Sequence, residues 1–183
     1  MSQIQTLGMI QVYTGDGKGK TTASLGLALR AVGAGKKVGI IFFDKGGSHY
    51  SERQSLKEKL SHLIDFVVTG RDRIDAATGQ FDFSVTDEDK AEVQRGLNEA
   101  RVMFADGYDL IVLDEFNTVA ALGLLPEADA LKFLEEKPPH MELVLTGRHA
   151  LPSVLEKVDL VTEMKMIKHY YYQGVKAREG LDF

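Results

Sequence analysis

Three glycines, two lysines and two threonines fall within the eight positions Gly15-Asp16-Gly17-Lys18-Gly19-Lys20-Thr21-Thr22. Glycines let a backbone turn tightly and aim successive N–H groups at one point, which makes an anion cradle. An apolar run, Met9 to Tyr13, precedes the segment, and a helix-prone run, Thr21 to Val32, follows it. Strand, glycine loop and helix N-terminus in that order make a phosphate-binding loop, to which the helix adds the positive end of its dipole. Gly15, Asp16, Gly17, Lys18, Gly19, Lys20, Thr21 and Thr22 are thus the expected nucleotide ligands. Lys20 would reach phosphate oxygens and act in catalysis, and the Thr21 hydroxyl would bind Mg²⁺. The competing reading is a Gly-rich turn, which requires no lysine or threonine here. The usual pattern places a glycine five residues before the Gly-Lys-Thr unit. Here Thr14 holds that place and Gly15 comes one later, so the loop is one residue short and predicts a shifted register for the triphosphate.

A second chemical feature is Asp109-Leu110-Ile111-Val112-Leu113-Asp114-Glu115, an apolar strand ending in two carboxylates. In phosphate-loop proteins an acid at this place serves the metal, and carboxylate oxygens suit Mg²⁺. Neighbours on an extended strand point to opposite sides, so one of Asp114 and Glu115 is expected to face the metal directly. The alternative is a solvated acidic turn. Arg148, in Thr146-Gly147-Arg148-His149, follows another apolar run and is a candidate catalytic cation for a phosphate, against a surface arginine in a turn. Lys45, in Lys45-Gly46-Gly47, is open to the same two readings. The five histidines show no metal-ligand spacing. Tyr170, Tyr171 and Tyr172 form an aromatic cluster whose expected role is core or edge-strand packing rather than stacking on a flat ligand.

These residues need a scaffold. Short apolar runs recur with helix-prone stretches between them. Strands are expected at Met9–Tyr13, Val38–Phe43, Leu63–Val68, Leu110–Leu113, Leu143–Thr146 and Leu160–Met164. Helices are expected at Thr21–Val32, Ser51–Leu60, from a Thr86/Asp89 capping box to Ala105, from Pro126 to Lys137 and at Pro152–Val158. Alternating strands and helices make right-handed βαβ units and a parallel sheet, whose buried strands are apolar without alternation. Ligands bind at the carboxyl ends of such strands, which selects residues 14–21, 44–49, 114–117 and 146–149. Thr69 to Val85 has no clear pattern and is expected to be a mobile active-site loop.

The chain of 183 residues fits one domain, 1–183, large enough to bury a core. A net charge of −5 argues against a nucleic-acid or membrane-surface binder. No apolar run reaches the roughly 20 residues that span a bilayer. The absence of cysteine excludes disulfides and thiol chemistry and fits a cytoplasmic protein.

Taken together, the phosphate loop Thr14–Thr22, Arg30-Ala31-Val32-Gly33, Leu113-Asp114-Glu115, Thr146-Gly147-Arg148 and the tail Lys168-His169…Gly174-Val175-Lys176-Ala177 resemble the ATP:corrinoid adenosyltransferases of the P-loop type. The similarity runs from Gly8 to Phe183, and the shortened loop is typical of that family. The resemblance implies an α/β, RecA-like P-loop fold with a mostly parallel central sheet flanked by helices. It implies transfer of the 5′-deoxyadenosyl group of ATP to Co(I) of a corrinoid, cobalamin or a precursor, with triphosphate leaving and the loop around the γ-phosphate. It also implies Mg²⁺ held by Thr21 and Glu115 with Asp114 adjacent, a reduced flavoprotein such as flavodoxin as electron donor, and a homodimer. The chain departs from the family in two places. An aromatic pair is expected soon after Thr69-Gly70, where Arg71, Asp72 and Arg73 stand, so that either Phe81 and Phe83 substitute or the acceptor is a different corrinoid. Phe42 and Asp44 stand where a polar and an apolar residue are expected. An ATPase switch cutting the β–γ bond, and a protein that stores ATP or a corrinoid, are the alternative functions.

Overall fold

The structure, a computed structural model, describes residues 7–73, 82 and 84–182. Strands β1 (Ile10–Thr14), β2 (Val38–Phe42), β3 (Ile64–Val68), β4 (Leu110–Asp114), β5 (Glu142–Thr146) and β6 (Leu160–Glu163) form one sheet in the order β3-β2-β4-β5-β1-β6. Every pairing is parallel, so the expected mostly parallel sheet is wholly so among the described residues. Helices α1 (Lys20–Gly33), α2 (Ser51–Lys59), α3 (Asp87–Ala105), α4 (Phe116–Ala121), α5 (Glu127–Glu135) and α6 (Pro152–Leu155) flank it. This is the α/β fold of a RecA-like P-loop domain.

The period-2 alternation of strands sorts each apolar run between two cores. Ile111 and Leu113 of β4 join Ile41, Leu143 and Leu145 in a cluster with α3, α4 and α5. Leu110 and Val112 join Val38, Ile40, Phe42 and Val144 in a second cluster against α1, through Ala28 and Ala31. Both faces of β2 and β4 are thus buried, which is why those runs are apolar throughout. The same alternation fixes the direction of Asp114. Two residues past Val112, it faces α1, the helix that follows the phosphate loop.

Two local devices serve the sheet's carboxyl edge. Helix α1 starts from Gly19 at φ 119° with no side-chain cap, so the N–H groups of its first turn stay open to a ligand. Helix α3 starts from the expected capping box, in which Thr86 and Asp89 bond reciprocally.

The sequence reading missed α4. It starts one residue after β4 and has six residues, of which Phe116, Asn117, Val119 and Ala120 are buried. So short a segment, with Thr118 and Val119 in it, has little helix preference of its own, and burial against the sheet holds it. Of the unpatterned segment Thr69 to Val85, residues 74–81 and 83 lie outside the described residues, and the proposed aromatic substitutes Phe81 and Phe83 are among them.

Candidate active site

The carboxyl ends of β1, β2, β4 and β5 meet around a cleft of about 720 Å³. That volume suits a small-molecule ligand. Asp16 to Thr22, Lys45, Glu115 and Arg148 border it, so the phosphate loop, the acidic strand end and both candidate cations share one cavity.

The phosphate loop is anchored from behind by Met164, the residue that follows β6. The Gly17 N–H donates to the Met164 carbonyl at 2.7 Å. A Cβ at Gly17 would lie 2.6 Å from that oxygen, and one at Gly15, where φ is +96°, would lie 2.5 Å from it. These glycines are required by close backbone approach as well as by turn geometry. The Gly17 N–H is therefore spent on the Met164 carbonyl, where the sequence pattern expects the loop's N–H groups to turn inward on an anion. Lys20 curls over its own loop and donates to the carbonyls of Gly15 and Gly17 at 2.6 and 2.8 Å. Burial lowers its pKa, and nearby Arg148 adds to that effect against the pull of Glu115. An ammonium in such a place gains from any anion that enters.

Asp114 is fully buried and is the hub of the site. Its Oδ1 accepts from the Thr21 hydroxyl at 2.9 Å and from the Thr146 hydroxyl at 2.6 Å. Its Oδ2 accepts from Lys45 Nζ at 2.5 Å. Glu115 adopts φ 63°, rare for a residue with a side chain, and caps α4. That twist lets both carboxylates reach the same Lys45 ammonium, which a straight strand would forbid. Glu115 Oε1 lies 3.6 Å from Lys45 Nζ, while Oε2 accepts from Thr118 at 2.5 Å. Burial opposes the charge on Lys45, yet the Asp114 and Glu115 carboxylates override it and raise its pKa. The Arg148 guanidinium borders the cleft and has no ion-pair partner among the described residues.

Thr146 is the last residue of β5, as the expected strand Leu143–Thr146 has it, but its bond to Asp114 lies outside any sequence pattern. The register, which pairs β5 with β4, supplied that contact. The tail differs from the expected core or edge-strand packing. Tyr170–Gln173 is a 3-10 turn with Tyr171 and Tyr172 exposed, so the tyrosines are not core. His169, Tyr170 and Tyr171 instead line the cleft. Lys18 bonds Asp182, the Leu181 carbonyl and the Tyr170 hydroxyl, which pins the tail to the phosphate loop.

The two departures meet in one structure beyond the ends of β2 and β3. Arg73, nearly buried, pairs through Nε and Nη2 with Asp44 at 2.8 and 2.6 Å, and Nη2 lies 3.4 Å from Asp89. Arg71 binds Asp89 at 3.0 Å and Asp82 at 2.5 Å. Burial raises the Asp44 pKa, with Arg73 opposing. An ion-pair cluster thus ties the segment after β3 to the end of β2 and to the start of α3.

Comparison with known proteins agrees with this geometry. Residues 6–183 match the family described as ATP:corrinoid adenosyltransferase BtuR/CobO/CobP. The chain is 38% identical over 178 residues to a corrinoid adenosyltransferase of Escherichia coli, covering 96% of this chain and 86% of that protein. It is 36% identical to corrinoid adenosyltransferase CobA of Salmonella typhimurium, with the same coverage, and 32% identical to one of Pseudomonas aeruginosa, covering 96% and 84%. The sheet, the phosphate loop, the acid facing it and a match that runs nearly end to end lead to one assignment: this chain belongs to the ATP:corrinoid adenosyltransferase family.

Proposed function

We infer that this chain transfers the 5′-deoxyadenosyl group of ATP to the Co(I) centre of a corrinoid and releases triphosphate. The observation that carries the reading is the meeting of Lys20, Thr21 and Glu115 on one cleft, with the buried Asp114 hydrogen-bonded to Thr21 behind it, in a chain whose relatives are named as corrinoid adenosyltransferases. Those names disfavour the ATPase switch. In the transfer, the electron pair of Co(I) forms the bond to C5′. The C5′–O bond breaks, and its electron pair leaves with the triphosphate. Co(I) is nucleophilic enough that no side-chain base is needed. The protein's work is to align C5′ with cobalt and to stabilise charge growing on the leaving group.

Specific roles follow. The open N–H groups at the start of α1 and the Lys20 ammonium hold the triphosphate. Arg148, at the cleft's edge, adds a second cation. Asp16, Gly17, Lys18, Gly19 and Thr22 shape the loop around it, and Lys18 holds the tail in place as well. Thr21, Asp114 and Glu115 would hold Mg²⁺. They fit a cation, because the Lys45 ammonium already sits among all three, at 3.1, 2.5 and 3.6 Å. A bound Mg²⁺ would add positive charge at the departing triphosphate. A reduced flavoprotein such as flavodoxin as electron donor, a homodimer and a cytoplasmic location complete the proposal. The described helices include none long and apolar enough to cross a membrane, which fits.

An anaerobic assay with ATP, Mg²⁺ and chemically reduced cobalamin tests the reading. Intact triphosphate should form only when the reduced corrinoid is present. Lys20→Ala should lower the rate by about 100-fold or more. ADP and phosphate formed without corrinoid, or near-normal turnover in Lys20→Ala, would overturn it.

A further inference from the structure

We propose that Lys45 is a resident counter-ion for the metal pocket: its ammonium occupies the cation position until a divalent cation arrives with the nucleotide and evicts it. The proposal rests on the reading of Thr21, Asp114 and Glu115 as that pocket. Strand register supplies the geometry. Phe42 of β2 pairs with Asp114 of β4, and the chain then turns at Asp44, where φ is 50°. That turn sends the Lys45 side chain back across the end of β4. The side chain is 12% exposed, and its Nζ reaches Asp114 Oδ2, Thr21 Oγ1 and Glu115 Oε1.

The contact with Thr21 decides between a counter-ion and a plain strut. A strut needs only the carboxylates. Here the Thr21 hydroxyl donates its proton to Asp114 and accepts from Lys45. A metal ion held by Thr21, Asp114 and Glu115 would stand where Lys45 Nζ now lies against the same three oxygens. Two cations placed there would repel each other at contact distance, so the metal ion and the ammonium exclude one another. Lysine carries a compact charge on a flexible four-carbon stem, so the ammonium can swing away without backbone movement. The cleft that Lys45 borders is where it would go, and there the triphosphate offers it new oxygens. Two consequences follow. Without nucleotide, the pocket resists divalent cations. With nucleotide, cation and ATP bind cooperatively, because ATP re-partners the displaced charge.

Mn²⁺ binding, followed by water-proton relaxation enhancement, tests this without turnover. The titration is run on the wild type, Lys45→Met and Lys45→Arg, with and without ATP and with no corrinoid. Without ATP, Lys45→Met should bind Mn²⁺ about tenfold or more tighter than the wild type, while Lys45→Arg keeps the suppression. Adding Glu115→Gln to Lys45→Met should remove the gain. Equal affinities in wild type and Lys45→Met, or a gain that survives Glu115→Gln, overturns the counter-ion while the metal pocket stands. Absence of bound Mn²⁺ in the wild type with ATP overturns the pocket and the counter-ion together. If Lys45→Met does not fold, the wild-type Lys45 ammonium is followed by ¹⁵N NMR. Its signal must move when Mg²⁺ and ATP are added together, and an unmoved signal overturns the proposal.

Discussion

Asp114 is a carboxylate with no exposure and three donors, from Thr21, Thr146 and Lys45. Such a group depends on every donor, since a buried charge that loses a partner carries a desolvation cost. Thr146→Val removes one hydroxyl with little change of shape. It should lower stability by about 1–3 kcal/mol, read from urea unfolding, and raise the ATP concentration needed for half-maximal triphosphate release. An unchanged unfolding midpoint together with unchanged turnover would mean that Thr146 does not orient the acid. That an apolar strand ends in Asp-Glu at the sheet's carboxyl edge was legible from sequence, beside the reading of a solvated acidic turn. Which acid faces the loop was not, because that depends on the parity of β4 against α1 and on the αL twist at Glu115.

The capping box of α3 does more than start a helix. The Asp89 carboxylate accepts from the Thr86 N–H at 2.8 Å and hydroxyl at 2.9 Å, and from Arg71 at 3.0 Å. Burial pushes its pKa up, and these bonds more than reverse that, so it lies below the ordinary 3.8. A carboxyl depressed in the native state adds stability that is complete above its unfolded pKa and is lost as pH falls through the native one. Asp89→Asn should therefore cost about 1–2 kcal/mol at neutral pH. The deficit relative to wild type should shrink below pH 3.8, where the unfolded carboxyl binds its proton. A deficit that stays constant with pH would assign the loss to shape alone. The box was readable from the Thr86/Asp89 spacing, which is local. Its coupling to Arg71, Arg73 and Asp44 was not, because residues 16 to 29 positions apart in the chain meet only after β2 and β3 pair.

At the scale of the molecule, ligand and fold are linked, because the cleft is built from four strand ends and the tail. A ligand that binds only the native state stabilises it by about 2.7 kcal/mol at 100 times its Kd. For a chain of this size, saturating Mg²⁺ and ATP should raise Tm by roughly 5–10 °C in a thermal scan. Lys20→Ala should lose most of that shift, and a full shift in the variant would place ATP elsewhere. From sequence alone came the βαβ alternation, the phosphate loop, the acidic strand end and the family likeness. All of these are carried by neighbours along the chain, where period and turn chemistry act. The tertiary structure alone decided that Asp114 faces the loop, that Lys45 lies between two acids, that Thr146 completes the hub and that the tail closes on Lys18. Those contacts join residues from different strands, and their positions follow from strand order and register, which no local pattern encodes.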